Sequence, residues 1–451
     1  MDSDNKHGGG AMQNTENGVI ADAADLFAPV FIEKSIIEGS ETMYRPLNRS
    51  NEGPIEFNIK PMGMKYFLPK NAYLHAQLKI TLANGDDMPG DSTAAFVNMA
   101  LNSLFKSIDI EIGGVPCPDL GNSFANYKAY FETVLTYSEN AENGHLRASH
   151  FRMDTADAFQ DYNIAEANVP HNVGYRKRRH ECRESRSIQA DVPIHCDFFQ
   201  LNKYIPPGVE ITIRFHRASD AFCIVAAVNN IQYKVEIEDI KLYVRHVTLS
   251  EDVMQLHMKL LEKGPAVFPY NRTLMKTVAY PGGLTHITAS NLFGGILPKS
   301  ILIALVNATN FNGTYTTNPY YLQHFNCNYA VLNVNGENVP SDPYRPNFAL
   351  GLFSREYRSF FNNVGIGIDN VSNMMTPDLY AGGMFMIPFD LSPDLCNGYH
   401  AHLKKSGVIN LELNFTEAIA NPFYVIAFAT YDNVMLLDRD NQVKTDMMYS
   451  N

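Results

Sequence analysis

Leu74, Ala76, Leu78, Ile80 and Leu82 alternate with His75, Gln77, Lys79 and Thr81. A period of two puts the apolar side chains on one face of an extended segment and the polar ones on the other, which predicts a half-buried strand. The same alternation runs through Ile108, Ile110 and Ile112, through Val209, Ile211, Ile213 and Phe215, and through Leu411, Leu413 and Phe415. Val235 and Ile237 are followed by Ile240, Leu242 and Val244, so the apolar parity changes near Asp239, as one inserted bulge residue would make it do. Two runs, Ile301 to Val306 (ILIALV) and Phe423 to Ala429 (FYVIAFA), are apolar at every position and predict strands covered on both faces. ILIALV is expected in an outer strand, with a partner supplying the second cover. Helical spacing is rarer. Phe124, Tyr127, Phe131, Val134 and Leu135 fit one helix, with Ser123 as its expected N-cap, and Phe353, Tyr357, Phe360 and Phe361 fit another. Gly, Pro and Asn interrupt nearly every run, so the chain reads as mainly β with a few short helices in loops.

The pattern repeats. IDIEIGGVPCPDLGNSFANYKAYFETVL (Ile108 to Leu135) and YAVLNVNGENVPSDPYRPNFALGLFSREYRSFF (Tyr329 to Phe361) are each a strand, a tight turn, Val-Pro, a connection containing Pro and an aromatic helix. The turns are Gly113-Gly114 and Asn335-Gly336, pairs that tolerate positive φ. GVEITIRF from Gly208 and GVINLELNF from Gly407 form a second matching pair, each followed by a long apolar strand. An offset of about 200 residues recurring in the same order predicts two copies of one β unit. Strand-rich units of this size with long excursions fit a jelly roll, so the predicted architecture is a double jelly roll of two tandem eight-stranded sandwiches. The expected division is a flexible tail over 1–18, a first jelly roll over 19–249, a second over 250–443 and a C-terminal tail over 444–451. The Tyr137 to Ile194 connection is too long for a turn and is expected to cover neighbouring subunits.

Composition narrows the function classes. The 451 residues carry 36 Lys and Arg against 48 Asp and Glu, a net charge of -12, so nucleic acid can be met only locally. The longest apolar runs fall far short of the roughly 20 residues a membrane-spanning helix needs. The first eighteen residues lack the apolar core of a secretory signal, and six irregularly spaced cysteines read as reduced intracellular thiols. Asp86-Asp87 and the Asp438, Asp440 pair sit among turn formers, where carboxylates are solvated and do not face each other across a cleft. His195-Cys196, His180-x-Cys182 and His400-x-His402 lack further ligands at metal spacing, so no metal and no cofactor are assigned. The sharpest polar feature is RKRRHECRESR, with Arg176, Lys177, Arg178, Arg179, Arg183 and Arg186 in eleven residues. Three readings stay open for it: a nucleic-acid contact, a nuclear-import signal, and a solvated loop or a contact with a neighbouring subunit.

SIIEGSETMYRPLNRSNEGPIEFNI (Ser35 to Ile59), NSLFKSIDIEIGG (Asn102 to Gly114) and YKAYFETVLTYS (Tyr127 to Ser138) resemble the major capsid proteins of Polinton/Maverick elements and adintoviruses. The likeness continues through DFFQLNKYIPPGVEITIRFHRASDAFCI, IKLYVRHVTLS, FNGTYTTNPYYLQHFN, PFDLSPDL and YDNVMLLDRDNQV, and so spans about residues 35 to 443. Two departures, Gly113-Gly114 where the family usually has Asn-Gly and GNSFAN without the usual Tyr-Pro, affect only local turns. The resemblance implies a building block of an icosahedral capsid that stands as a hexon-like homotrimer and then meets neighbouring trimers. It also implies a penton protein, a minor capsid protein and a maturation protease as companions, and a place in the virion after synthesis in a host cytoplasm, with nuclear assembly open. The competing classes are a double β-sandwich enzyme acting on glycans and a carbohydrate-binding protein.

Overall fold

Eight strands, besides shorter two-residue ones, build the first half of the chain: β1 (Ile36–Tyr44), β2 (Ile55–Ile59), β3 (Tyr73–Leu82), β4 (Phe105–Ile112), β5 (Val115–Pro116), β6 (Ile188–Pro193), β7 (Ile211–Arg217) and β8 (Tyr233–Leu249). In the computed structural model, which describes residues 30, 32–48, 53–163, 171–366, 372–393 and 401–446, they pair antiparallel in two sheets, β1-β8-β3-β6 and β2-β7-β4-β5. Leu74, Ala76, Leu78 and Ile80 are buried between them, as the alternation requires. The parity change near Asp239 is a bulge, because the register of β8 against β3 shifts between Ile237 and Asp239.

The second half repeats the first. β9 (Ala266–Tyr280), β10 (Leu284–Ile296), β11 (Ser300–Asn307), β12 (Cys327–Val334), β13 (Glu337–Tyr344), β14 (Met386–Asp390), β15 (Ser406–Ile419) and β16 (Phe423–Leu437) form sheets β9-β16-β11-β14 and β10-β15-β12-β13. Adding eight to every strand number of the first pair of sheets gives the second pair, so the chain is a double jelly roll. The turns agree as well: Gly113, Gly114, Asn335 and Gly336 all have positive φ. Gly and Asn occupy them because other side chains would crowd the backbone in that conformation.

Two expectations need correction. ILIALV lies in β11, which is an interior strand flanked by β16 and β14. Its sheet's outer face is covered within the chain. The helix α1 (Ala125–Thr136) sets Phe131 edge-on to Phe428 of β16 at 5.9 Å, and Leu135 lines one recess with Leu302. Ser123 does not cap α1, for it belongs to a short strand on β4, and Phe124 in a left-handed conformation opens the helix with no side-chain cap. The Tyr137 to Ile194 excursion, expected to cover neighbouring subunits, also makes contacts within its own chain: Asp157 donates its N–H to the Gly382 carbonyl at 2.7 Å and Phe159 stacks on Tyr321. Further helices are α2 (Val173–Cys182), α3 (Glu251–Leu261) and α4 (Ser354–Val364), the last being the second predicted aromatic helix. The tail over 1–18, the residues 447–451, Cys396 and His400 lie outside the described residues.

Candidate functional site

The junction between the two jelly rolls is the most elaborate polar site. Helix α1 carries Lys128, whose side chain is 1% exposed and reaches Asp197 Oδ1 at 2.6 Å and Glu132 at 2.9 Å. Lys128 Nζ also donates to Thr273 Oγ1 on β9 at 2.9 Å. Thr273 answers with its N–H to Asp197 Oδ2 at 2.8 Å and its hydroxyl to Asp197 Oδ1 at 2.7 Å. Asn122 closes the ring, donating to Thr273 Oγ1 and accepting from the Asp197 N–H. A buried charge pair survives only with its remaining polar atoms satisfied, which is the case here. Elsewhere on α1, Tyr130 stacks on Tyr320 at 4.2 Å and Tyr127 on Phe311 at 5.6 Å, joining the two halves into one apolar core.

Burial pushes the Glu132 carboxyl up, but the Lys128 ammonium and the His195 ring at 2.7 Å outweigh it and bring it down to about 2. A depressed carboxyl stabilises the fold above its unfolded value near 4.5 and loses that contribution as pH falls toward 2. Glu132→Gln should therefore flatten the acid limb of a stability profile between pH 4.5 and about 2; an unchanged limb would reject this assignment.

The basic run folds as α2 and the turn after it, where a solvated loop was one of the expectations. It does not act as one patch. Arg178 is buried: Nη2 meets Asp154 Oδ1 at 2.7 Å, Nη1 the Arg152 carbonyl at 2.6 Å and Nε the Phe96 carbonyl at 3.0 Å. Asp154 in turn accepts from Asn172 and, at 3.0 Å, from Asn318 of the second jelly roll. Arg178 is thus an internal residue and leaves the set of candidate contacts. Arg179 is half-buried and donates to the carbonyls of Ser92 and Gly90. Lys177 and Arg186 are exposed, and Arg176 and Arg183 half-buried. Burial inside the sequence run follows the helix: Gly174, Tyr175, Arg178 and Cys182 face inward at helical spacing, a signal that residue charge alone obscured. A Cβ at Gly174 would strike the Met153 carbonyl oxygen, which is why no side chain stands there.

The other candidates hold turns together. Asp438 Oδ1 accepts the N–H groups of Asp440 and Gln442, and Asp86 accepts from Asn84. His195 is engaged with Glu132, and the Cys196 thiol donates to the Leu120 carbonyl at 3.0 Å. His180 is exposed while Cys182 is buried, so the two diverge. Among the described residues, no group of three His, Cys, Asp or Glu could hold a metal ion, and no helix is long and apolar enough to cross a membrane. The five described cysteines are buried free thiols, and burial pushes Cys182, Cys223 and Cys327 up to about 12.

No protein-family model matches the chain. An uncharacterized protein of Caenorhabditis elegans is 22% identical over 399 residues, covering 86% of this chain and 92% of that protein. Among solved structures, the mavirus major capsid protein matches with a TM-score of 0.56 at 14% identity, over 97% of this chain and 94% of its own. A chain of the Sputnik virophage matches at 0.56 and 13%, over 94% and 91%. The Faustovirus major capsid protein matches at 0.54 and 10%, over 91% and 92%. These neighbours share the double jelly-roll fold over nearly their whole lengths.

Proposed function

We propose that the chain is a major capsid protein, the repeated building block of an icosahedral shell, of the Polinton/Maverick and adintovirus lineage. The observation that carries the reading is the duplication itself: one chain holds two sandwiches of identical strand order, fused through a buried polar ring and an aromatic core. Two like wedges per chain make six per trimer, and a three-fold block of that kind fills a roughly hexagonal cell of a shell. The full-length likeness to the mavirus and Faustovirus major capsid proteins supports it. Within this reading the first jelly roll runs over 19–249 and the second over 250–443. The exposed cations Lys177 and Arg186 are the chain's local contact for a neighbouring subunit or for packaged nucleic acid. Penton and minor capsid proteins complete the shell, and the virion is its location.

Light scattering on the purified protein should report about three times 50.6 kDa, and negative-stain images should show three-fold blocks or shells. A strictly monomeric species at micromolar concentration would remove the capsid reading and leave a glycan-active or carbohydrate-binding double sandwich in its place.

A further inference from the structure

Beside the start of α1, the two halves of the chain leave a recess of about 280 Å³ between them. The first half lines it with Lys106, Phe124, Asn126 and Arg217, and the second with Phe311 and Asn312 from the segment after β11. One wall is aromatic: Phe311 lies 5.9 Å from Phe124 and stacks on Tyr127.

The other wall is cationic. Lys106 is the extra residue of a bulge in β4, because His216 of β7 pairs with Ser107 while Arg217 pairs with Phe105. A bulge re-aims its side chain out of the regular alternation of the strand. Lys106 is exposed and makes no hydrogen bond or ion pair among the described residues. The Arg217 guanidinium lies 3.3 Å from Asp220 Oδ1 and donates to the Val235 carbonyl, so Asp220 offsets one of the two positive charges. Asn126 lines the same recess although it is only 3% exposed. Its Oδ1 accepts the Tyr127 N–H at 2.9 Å, which fixes the orientation of the amide and leaves Nδ2 with no acceptor among the described residues. An amide donor withdrawn from water costs free energy unless something completes it, and here the chain does not. Helix α1 also opens at this point without a side-chain cap, so the positive end of its dipole adds to the same field.

We propose that this recess binds a small organic anion, with its carboxylate or phosphate group on Lys106, Arg217 and Asn126 Nδ2 and its ring against Phe124 and Phe311. The volume stands at the small end of ligand pockets, which begin at roughly 300 Å³, and so takes one ring with its anionic group. The site lies within a single chain and needs no second copy, so it stands apart from the capsid reading. A ligand there touches both halves and stabilises the folded chain by mass action.

Benzoate, phenyl phosphate and neutral benzyl alcohol, each titrated calorimetrically into the full-length protein, test the site. At least one of the two anions should bind once per chain and raise the thermal midpoint, and the alcohol should bind about tenfold or more weakly, the worth of a charge-assisted hydrogen bond. The tighter anion identifies the head group. Lys106→Gln, a change at an exposed position, should weaken the anion about tenfold and leave the alcohol as it was. Asn126→Asp keeps an oxygen for the Tyr127 N–H, so the helix start is retained, but it sets a carboxylate against the anion and should abolish binding with circular dichroism unchanged. Equal binding of all three probes, unaltered in Lys106→Gln, would overturn the anion site. No saturable binding up to about 10 mM and no shift in midpoint would also overturn it, leaving solvent alone as the partner of Asn126.

Discussion

Asp197→Ala should cost about 3–5 kcal/mol, because it removes the fully buried partner of Lys128 and leaves only the part-exposed Glu132 to balance the ammonium. Lys128 cannot escape to water, because its side chain is 1% exposed and α1 is wedged between the sandwiches. Burial pushes the ammonium down, yet Glu132 and Asp197 together hold it above its ordinary value, so it stays charged. Loss of Asp197 also strips the acceptor from the Thr273 N–H and hydroxyl, which loosens β9 from the first jelly roll. Lys128→Met in the same chain should recover a large part of the loss, since it removes the under-compensated ammonium while Glu132 keeps its contact with His195. Urea unfolding followed by circular dichroism measures both variants. A loss below about 1 kcal/mol for Asp197→Ala would mean that the ring is decoration on an apolar junction.

The second large effect separates one arginine from its neighbours in sequence. Arg178→Met should destabilise by about 3–5 kcal/mol, because it strands Asp154, which is fully buried and also anchors Asn318 of the second jelly roll. Lys177→Ala and Arg186→Ala should stay within about 0.5 kcal/mol, as surface changes do. The same three variants also decide what the run does for nucleic acid. Were Arg178 a phosphate contact, its variant would unfold normally and lose salt-dependent binding instead. Thermal and urea midpoints for the three, set beside filter binding at two salt concentrations, give the answer.

Much of this molecule is legible along the chain, and the reason is that strand alternation and turn chemistry are local. β3, β4, β7 and β15 are visible as period-two runs, the bulge in β8 as a change of parity, and the duplication as a repeated order of turns and helices. The junction is not legible. Lys128, Asp197 and Thr273 carry no shared motif, and 69 and 76 residues separate the successive partners. Nothing near Asp197 in sequence announces that Thr273 will meet it.

Sequence by itself determined many of the strands, the two aromatic helices, the fold class and the two-unit plan, because backbone periodicity is set by which neighbouring side chains prefer water. Only the tertiary structure decided what each ambiguous side chain does. The basic run is the clearest instance: Lys177 stands in solvent, and Arg178, one residue on, is sealed against Asp154. ILIALV is apolar on both faces whether its second cover is a neighbour or its own α1, and only the packing of Phe131 and Leu135 chose the latter. Burying a charge or covering a face depends on groups brought close by the fold, at distances along the chain over which no local pattern extends.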